Sequence, residues 1–166
     1  MGPDPKANYG TGEVALVAPF SRGNVTITSA DTNVLPKVNP NLLGDLRDQE
    51  VAIATFKQLR LFFTKSTLAT ILTGPEAYPG FNITSDADIL KAIQAQALPV
   101  YHAAGTCGMG LPTDPKAVVD SHARVFGTAG LRVVDASAFP FLPPGHPQGT
   151  IYALAEKIAD MINHGQ

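Results

Sequence analysis

Apolar residues recur at helical spacing over three stretches of the chain and alternate with polar ones over a fourth. Between 46 and 65, Leu46, Ile53, Phe56 and Phe63 return near the helical period with Arg47, Asp48, Lys57 and Arg60 among them, which predicts one amphipathic helix. Asp45 stands just ahead of it, with a carboxylate suited to the unpaired first-turn amides. A second helix is predicted after Ser85: its hydroxyl can cap, Asp86 and Asp88 favour the positive helix end, and Ile89, Ala92 and Ile93 share a face until Pro99 stops the run near Ala97. The last helix is predicted from Gln148 to about Asn163, with Ile151, Leu154, Ala155, Ile158 and Ile162 on one side and Pro147 suited to its opening turn.

Asn24-Val25-Thr26-Ile27-Thr28 alternates at period two and predicts a half-buried strand. Residues 1–20 read as loop apart from the short apolar stretch 14–18, and residues 36–44 carry loop chemistry, with Pro36, Pro40, Asn39 and Asn41. Residues 117–120 and 124–127 read as short strands around a loop. After Gly130, the nearly unbroken apolar run 131–135 reads as a strand covered on both faces. Residues 139–147, with four prolines, form an irregular connection into the last helix, and no internal repeat is visible.

Length and composition bound this picture. With 166 residues, 45% of them hydrophobic, the chain is expected to bury one core, and 14 prolines with 15 glycines argue for many turns rather than a plain helical bundle. Twelve basic against 14 acidic residues give a net charge of −2 with no basic stripe, so neither nucleic acid nor an anionic membrane surface is expected as a partner. No apolar run approaches the roughly 20 residues of a membrane helix, and the start at Met1 has no hydrophobic core of a leader peptide; localisation is left open. The expected partner is a small molecule or another protein. The single cysteine, Cys107, forms no internal disulfide.

The candidate chemistry sits in two Gly/Pro-rich contexts: Tyr101-His102-Ala103-Ala104-Gly105-Thr106-Cys107 and Gly145-His146-Pro147-Gln148-Gly149-Thr150. His146 falls between the predicted strand 131–135 and the last helix, and ligands of open α/β sheets bind beyond the carboxyl ends of strands. The helix that follows would present the amides of Gln148, Gly149 and Thr150 to an anionic or electron-rich group. A lone loop histidine is more often structural than catalytic. A zinc site from His102, Cys107, His122 and His146 matches no ligand spacing, and Ser137 lacks the Gly-x-Ser-x-Gly elbow of a hydrolase. The glycines at 105, 108 and 110 have neither dinucleotide-binding spacing nor a P-loop lysine.

Taken in order, Tyr101-His102-x-x-Gly105-Thr106-Cys107-x-Met109-Gly110, Val118-Val119-Asp120, Arg124-Val125-x-Gly127, Gly130-Leu131-Arg132-Val133-Val134-Asp135-Ala136-Ser137, His146 and Ala155-Glu156-Lys157-Ile158-Ala159-Asp160 resemble the carboxyl-terminal part of the glucose-methanol-choline (GMC) oxidoreductases. Upstream, Ala18-Pro19-Phe20-Ser21-Arg22-Gly23-Asn24-Val25 and Asn39-Pro40-Asn41-Leu42-Leu43 resemble the same family's substrate-domain region, so the resemblance spans nearly the whole chain. Pro143-Pro144-Gly145-His146-Pro147-Gln148, followed by Tyr152-Ala153-Leu154-Ala155-Glu156-Lys157, resembles fungal members of the aryl-alcohol oxidase, patulin synthase and versicolorin B synthase type.

The resemblance implies an α+β fold: an antiparallel sheet with packed helices in a substrate-binding region, 1–117, then a segment, 118–166, carrying the final strand and helix that complete an FAD-binding α/β domain. It implies FAD as cofactor and oxidation of a small-molecule alcohol, with oxygen or a quinone as electron acceptor. His102 matches the base that removes the hydroxyl proton while hydride passes to the flavin, and His146 matches the second active-site position that orients the hydroxyl. Ala136, Pro147 and Gln148 match cofactor contacts. The family's Gly-x-Gly-x-x-Gly segment, which grips the ADP half of FAD, does not occur between Met1 and Gln166, so the amino-terminal FAD-binding half is expected to lie outside these residues. Two alternatives go with the resemblance: a non-redox cyclase of versicolorin B synthase type, and a non-catalytic remnant.

Overall fold

The computed structural model describes residues 6–165; of the loop expected over 1–20, residues 1–5 lie outside that range. Its regular elements are β1 (Asn24–Thr26), β2 (Lys37–Asn39), α1 (Leu46–Lys65), α2 (Asp86–Gln96) and α3 (Gln148–Asn163), with 3-10 turns at Thr67–Thr70 and Ala136–Ala138. The α+β class is therefore as the sequence implied. Two compact units form: one holds the residues before Asn24 together with Pro40–Leu98, the other Asn24–Asn39 together with the residues from Pro99 onward.

In the first unit, both helices start where their caps predict. Asp45 is extended and its carboxylate accepts from the Arg47 amide at 2.9 Å. The Arg47 guanidinium folds back onto the same carboxylate, and with that amide it lowers the Asp45 pKa from 3.8 to about 2. Ser85 accepts from the Asp88 amide at 3.2 Å. Ile89 is fully buried, with Ala92 and Ile93 half-buried on the same face of α2. On α1, Ile53, Phe56 and Phe63 are half-buried, but Leu46 is not part of the core: it is 71% exposed. It stands in the first turn of the helix.

What the helix start buries instead is a charge. Asp48, 1% exposed, accepts from the amides of Phe20 (2.8 Å) and Ser21 (2.7 Å) and from the Ser21 hydroxyl. Ser21 Oγ in turn accepts from the Asp45 amide at 3.0 Å, and the Arg47 guanidinium lies 3.7 Å over the Phe20 ring. These bonds seat residues 19–22 on the helix. Further along, Gly12 passes so close to α1 that a Cβ there would fall 2.6 Å from the Phe63 ring. Arg60 fixes the segment after the helix: it pairs with both oxygens of Glu76 (2.8 and 2.9 Å) and donates to the carbonyls of Gly80 and Ile83.

In the second unit, β1 and β2 pair antiparallel with Val25 opposite Val38. β2 falls inside the expected loop 36–44, because three residues between Pro36 and Pro40 are too few to display a period. β1 is present, but all three of its residues are exposed, with Val25 at 50% and its partner Val38 at 62% exposure. The stretches 117–120, 124–127 and 131–135 do not run as strands. They meet only in single bridges, Met109 with Val119, Val119 with Val125, and Arg124 with Arg132. Positive φ at Ala123 (59°), Gly127 (73°) and Gly130 (71°) turns the chain every few residues, so no ladder extends, and Leu131 stays half exposed instead of covered. The core of this unit is Val119, Ala123, Ala138, Phe139 and Ile158, all nearly sealed from solvent.

Candidate active site

Both candidate histidines belong to the second unit, and two separate stretches of backbone bring them there. Tyr101, at φ +57°, bends the chain into His102, whose amide donates to the Pro99 carbonyl at 3.4 Å. The residues after His102 are laced to the turn Ala136–Ala138: the amides of Gly105, Cys107 and Met109 donate to the carbonyls of Ala136 (3.1 Å), Ser137 (2.8 Å) and Ala138 (3.0 Å). Gly105 makes the turn possible, since its φ of +79° is one that a side chain disfavours. Asp135 caps the facing turn by accepting from the Ser137 amide at 2.7 Å. From Phe139 the chain runs through the prolines to Gly145, φ +82°, then His146 and the buried Pro147, where α3 begins. Ile158, 1% exposed, anchors that helix in the core.

The result is direct contact between the histidines. His102 Nε2 lies 2.7 Å from His146 Nδ1, and the rings meet edge to face at 87° with centroids 5.1 Å apart. A single hydrogen fits between the two nitrogens, so in the neutral pair one ring donates and the other accepts. Neither outer nitrogen, His102 Nδ1 nor His146 Nε2, bonds another described residue. His102 is half-buried and His146 exposed. Such a pair can take a hydroxyl proton on a bare ring nitrogen and orient the oxygen through the neighbouring N–H.

The residues matched to cofactor contacts lie in the same unit. Ala136, half-buried, opens the turn that receives the Gly105 amide. Pro147 is the N-cap residue of α3 and carries no side-chain cap, and Gln148 is the first helical residue. The first turn holds no acidic side chain. Uncapped amides and the positive helix end suit an anionic or electron-rich group, so these residues fit a bound flavin. Other candidates take no part in such a site. The Cys107 amide is used in the backbone lacing, His122 Nδ1 sits 3.3 Å from Ser121 Oγ, and among the described residues no three His, Cys, Asp or Glu side chains gather as metal ligands. An open apolar hollow lies in the loop after β1, lined by Ile27, Ala30, Val34 and Pro36, and includes neither histidine. Tyr101, which heads the family-like motif, is 96% exposed beside His102, and its positive φ leaves no mark in the sequence.

A family model described as GMC oxidoreductase matches residues 19–155, both histidines included. The chain belongs to the GMC oxidoreductases. It is 55% identical over 156 residues to patulin synthase of Penicillium expansum, covering 94% of this chain and 25% of that protein. It is 50% identical over 159 residues to versicolorin B synthase of Aspergillus parasiticus, covering 96% of this chain and 25% of the relative. Among solved structures it is similar to an FAD-dependent oxidoreductase from Chaetomium thermophilum, with a TM-score of 0.79 and 34% identity, covering 90% of this chain and 26% of that one. The chain thus spans about a quarter of the length of the curated GMC relatives it matches. Among the described residues no helix is long and apolar enough to cross a membrane.

Proposed function

We propose that this chain forms the substrate-side part of an FAD-dependent alcohol oxidoreductase in which His102 removes the hydroxyl proton and His146 orients the oxygen. The observation that carries the reading is the 2.7 Å contact between His102 Nε2 and His146 Nδ1 within the family-matched region. FAD supplies the hydride acceptor when bound. Ala136, Pro147 and Gln148 would hold it, and the uncapped first turn of α3 would favour negative charge there. Residues 1–117 contribute to substrate binding, and residues 118–166 return to the FAD-binding domain. The substrate is a small alcohol, and oxygen or a quinone takes up the electrons.

His102 holds the alcohol proton at a ring nitrogen, and the hydrogen bond to His146 fixes the plane of both rings. A positioned base of this kind contributes about 10²- to 10⁴-fold to rate. The test is FAD reduction under anaerobic conditions, read as loss of flavin absorbance on adding primary alcohols, aromatic ones included. His102→Ala is expected to slow reduction by about 10²- to 10⁴-fold. Unchanged reduction in that variant refutes the base role. The 50% identity to versicolorin B synthase supports a second reading, a flavin-containing cyclase that closes a ring without net redox change. Under that reading no alcohol reduces the flavin, in the wild type or in the variant.

A further inference from the structure

Two Asn-x-Thr triplets occur in the chain, Asn24-Val25-Thr26 and Asn82-Ile83-Thr84. Both meet the acceptor pattern for N-linked glycosylation, which requires that the folded protein leave the asparagine at the surface. The fold treats the two differently.

Asn82 lies in the loop that Arg60 clamps. Arg60 Nη1 donates to the Ile83 carbonyl at 2.6 Å, Nη2 donates to the Gly80 carbonyl at 3.0 Å, and the Ile83 amide also donates to Gly80 at 3.0 Å. This draws the middle residue of the triplet to half burial and leaves Asn82 and Thr84, on either side of it, exposed. No hydrogen bond ties the Asn82 carboxamide to another described residue, so a substituent on Nδ2 breaks none. Asn24 is placed less freely: it sits within β1 directly opposite Asn39, and its Oδ1 is 3.5 Å from the Thr26 hydroxyl.

We propose that Asn82 is an N-glycan acceptor and that the protein passes through the secretory route. An N-glycosidic bond forms between Asn82 Nδ2 and the anomeric carbon of a polyprenyl-diphosphate-linked oligosaccharide; the amide nitrogen gives up one proton and the polyprenyl diphosphate leaves. The sugar stands beside two half-exposed aromatics of the same loop, Tyr78 and Phe81, and shields apolar surface that would otherwise face water.

Trypsin separates the two triplets, because peptide 66–91 carries only the Asn82 triplet and peptide 23–37 only the Asn24 triplet. Protein purified from its native host is treated with peptide N-glycosidase in heavy-oxygen water, which converts each glycosylated asparagine to a labelled aspartate. The expected result is label in 66–91. In protein secreted from yeast, Asn82→Gln and Thr84→Ala should each remove the same one glycan from the intact mass. An unlabelled 66–91 from the native host overturns the proposal, and so does label confined to 23–37.

Discussion

Asp48→Asn tests the claim that a buried carboxylate, and not apolar packing, seats residues 19–22 on the start of α1. The substitution preserves shape and removes charge. Asp48 accepts three hydrogen bonds, from the amides of Phe20 and Ser21 and from the Ser21 hydroxyl. Asparagine keeps one acceptor oxygen, and in either orientation its NH2 faces a backbone amide, of Phe20 or of Ser21, that can only donate. A hydrogen bond to a charged group is worth about 1.5–3 kcal/mol, but Phe20 is half exposed and water can replace part of what is lost, so the net cost is about 2–4 kcal/mol. Urea unfolding at neutral pH measures it, and hydrogen exchange at the Phe20 and Ser21 amides localises it.

Acid supplies a second reading of the same carboxylate. Burial alone would raise the Asp48 pKa, but the Ser21 hydroxyl and the two amides outweigh it, so the pKa lies below its ordinary 3.8. The unfolded chain therefore binds a proton more readily than the folded one. The stabilisation is complete above pH 3.8 and is lost as pH falls through the lower folded value. The gap between wild type and Asp48→Asn should stay constant from neutral pH to about pH 5 and close below pH 3.8. A cost under about 1 kcal/mol at neutral pH, or a gap that widens in acid, refutes the reasoning.

Arg60→Ala removes one partner of an ion pair whose side chains are each 16% exposed and frees the carbonyls of Gly80 and Ile83; the expected cost is about 2–4 kcal/mol, with proteolytic cleavage appearing first between 76 and 84. Ile158→Ala opens a cavity under α3 and should cost about 2–5 kcal/mol in thermal or urea unfolding. Because α3 begins just after His146, the same variant should also broaden the His146 ring signals by NMR.

Local signals read well where the chemistry is local. Asp45 and Ser85 cap the helices they precede, because a cap is a contact between a side chain and an amide two or three residues on. The buried face of α3 follows from Ile151, Leu154 and Ile158 for the same reason of short range. The stretch 131–135 misled. An apolar run states that burial is wanted, but a strand also needs a neighbour aligned over several residues, and the positive φ at Ala123, Gly127 and Gly130 denies it one. Asp48, read as a polar position of an amphipathic helix, is buried by partners that lie 27 and 28 residues away.

The sequence by itself determined where the helices start, which histidines stand in family-like contexts, and which family the chain resembles; all three rest on residue order within short stretches. Only the tertiary structure decided that His102 and His146, 44 positions apart, touch. That contact depends on backbone hydrogen bonds between residues 105–109 and 136–138 and on a helix anchored by Ile158. Pairings over such separations are set by how the chain closes its loops and fills its core, which no local pattern records.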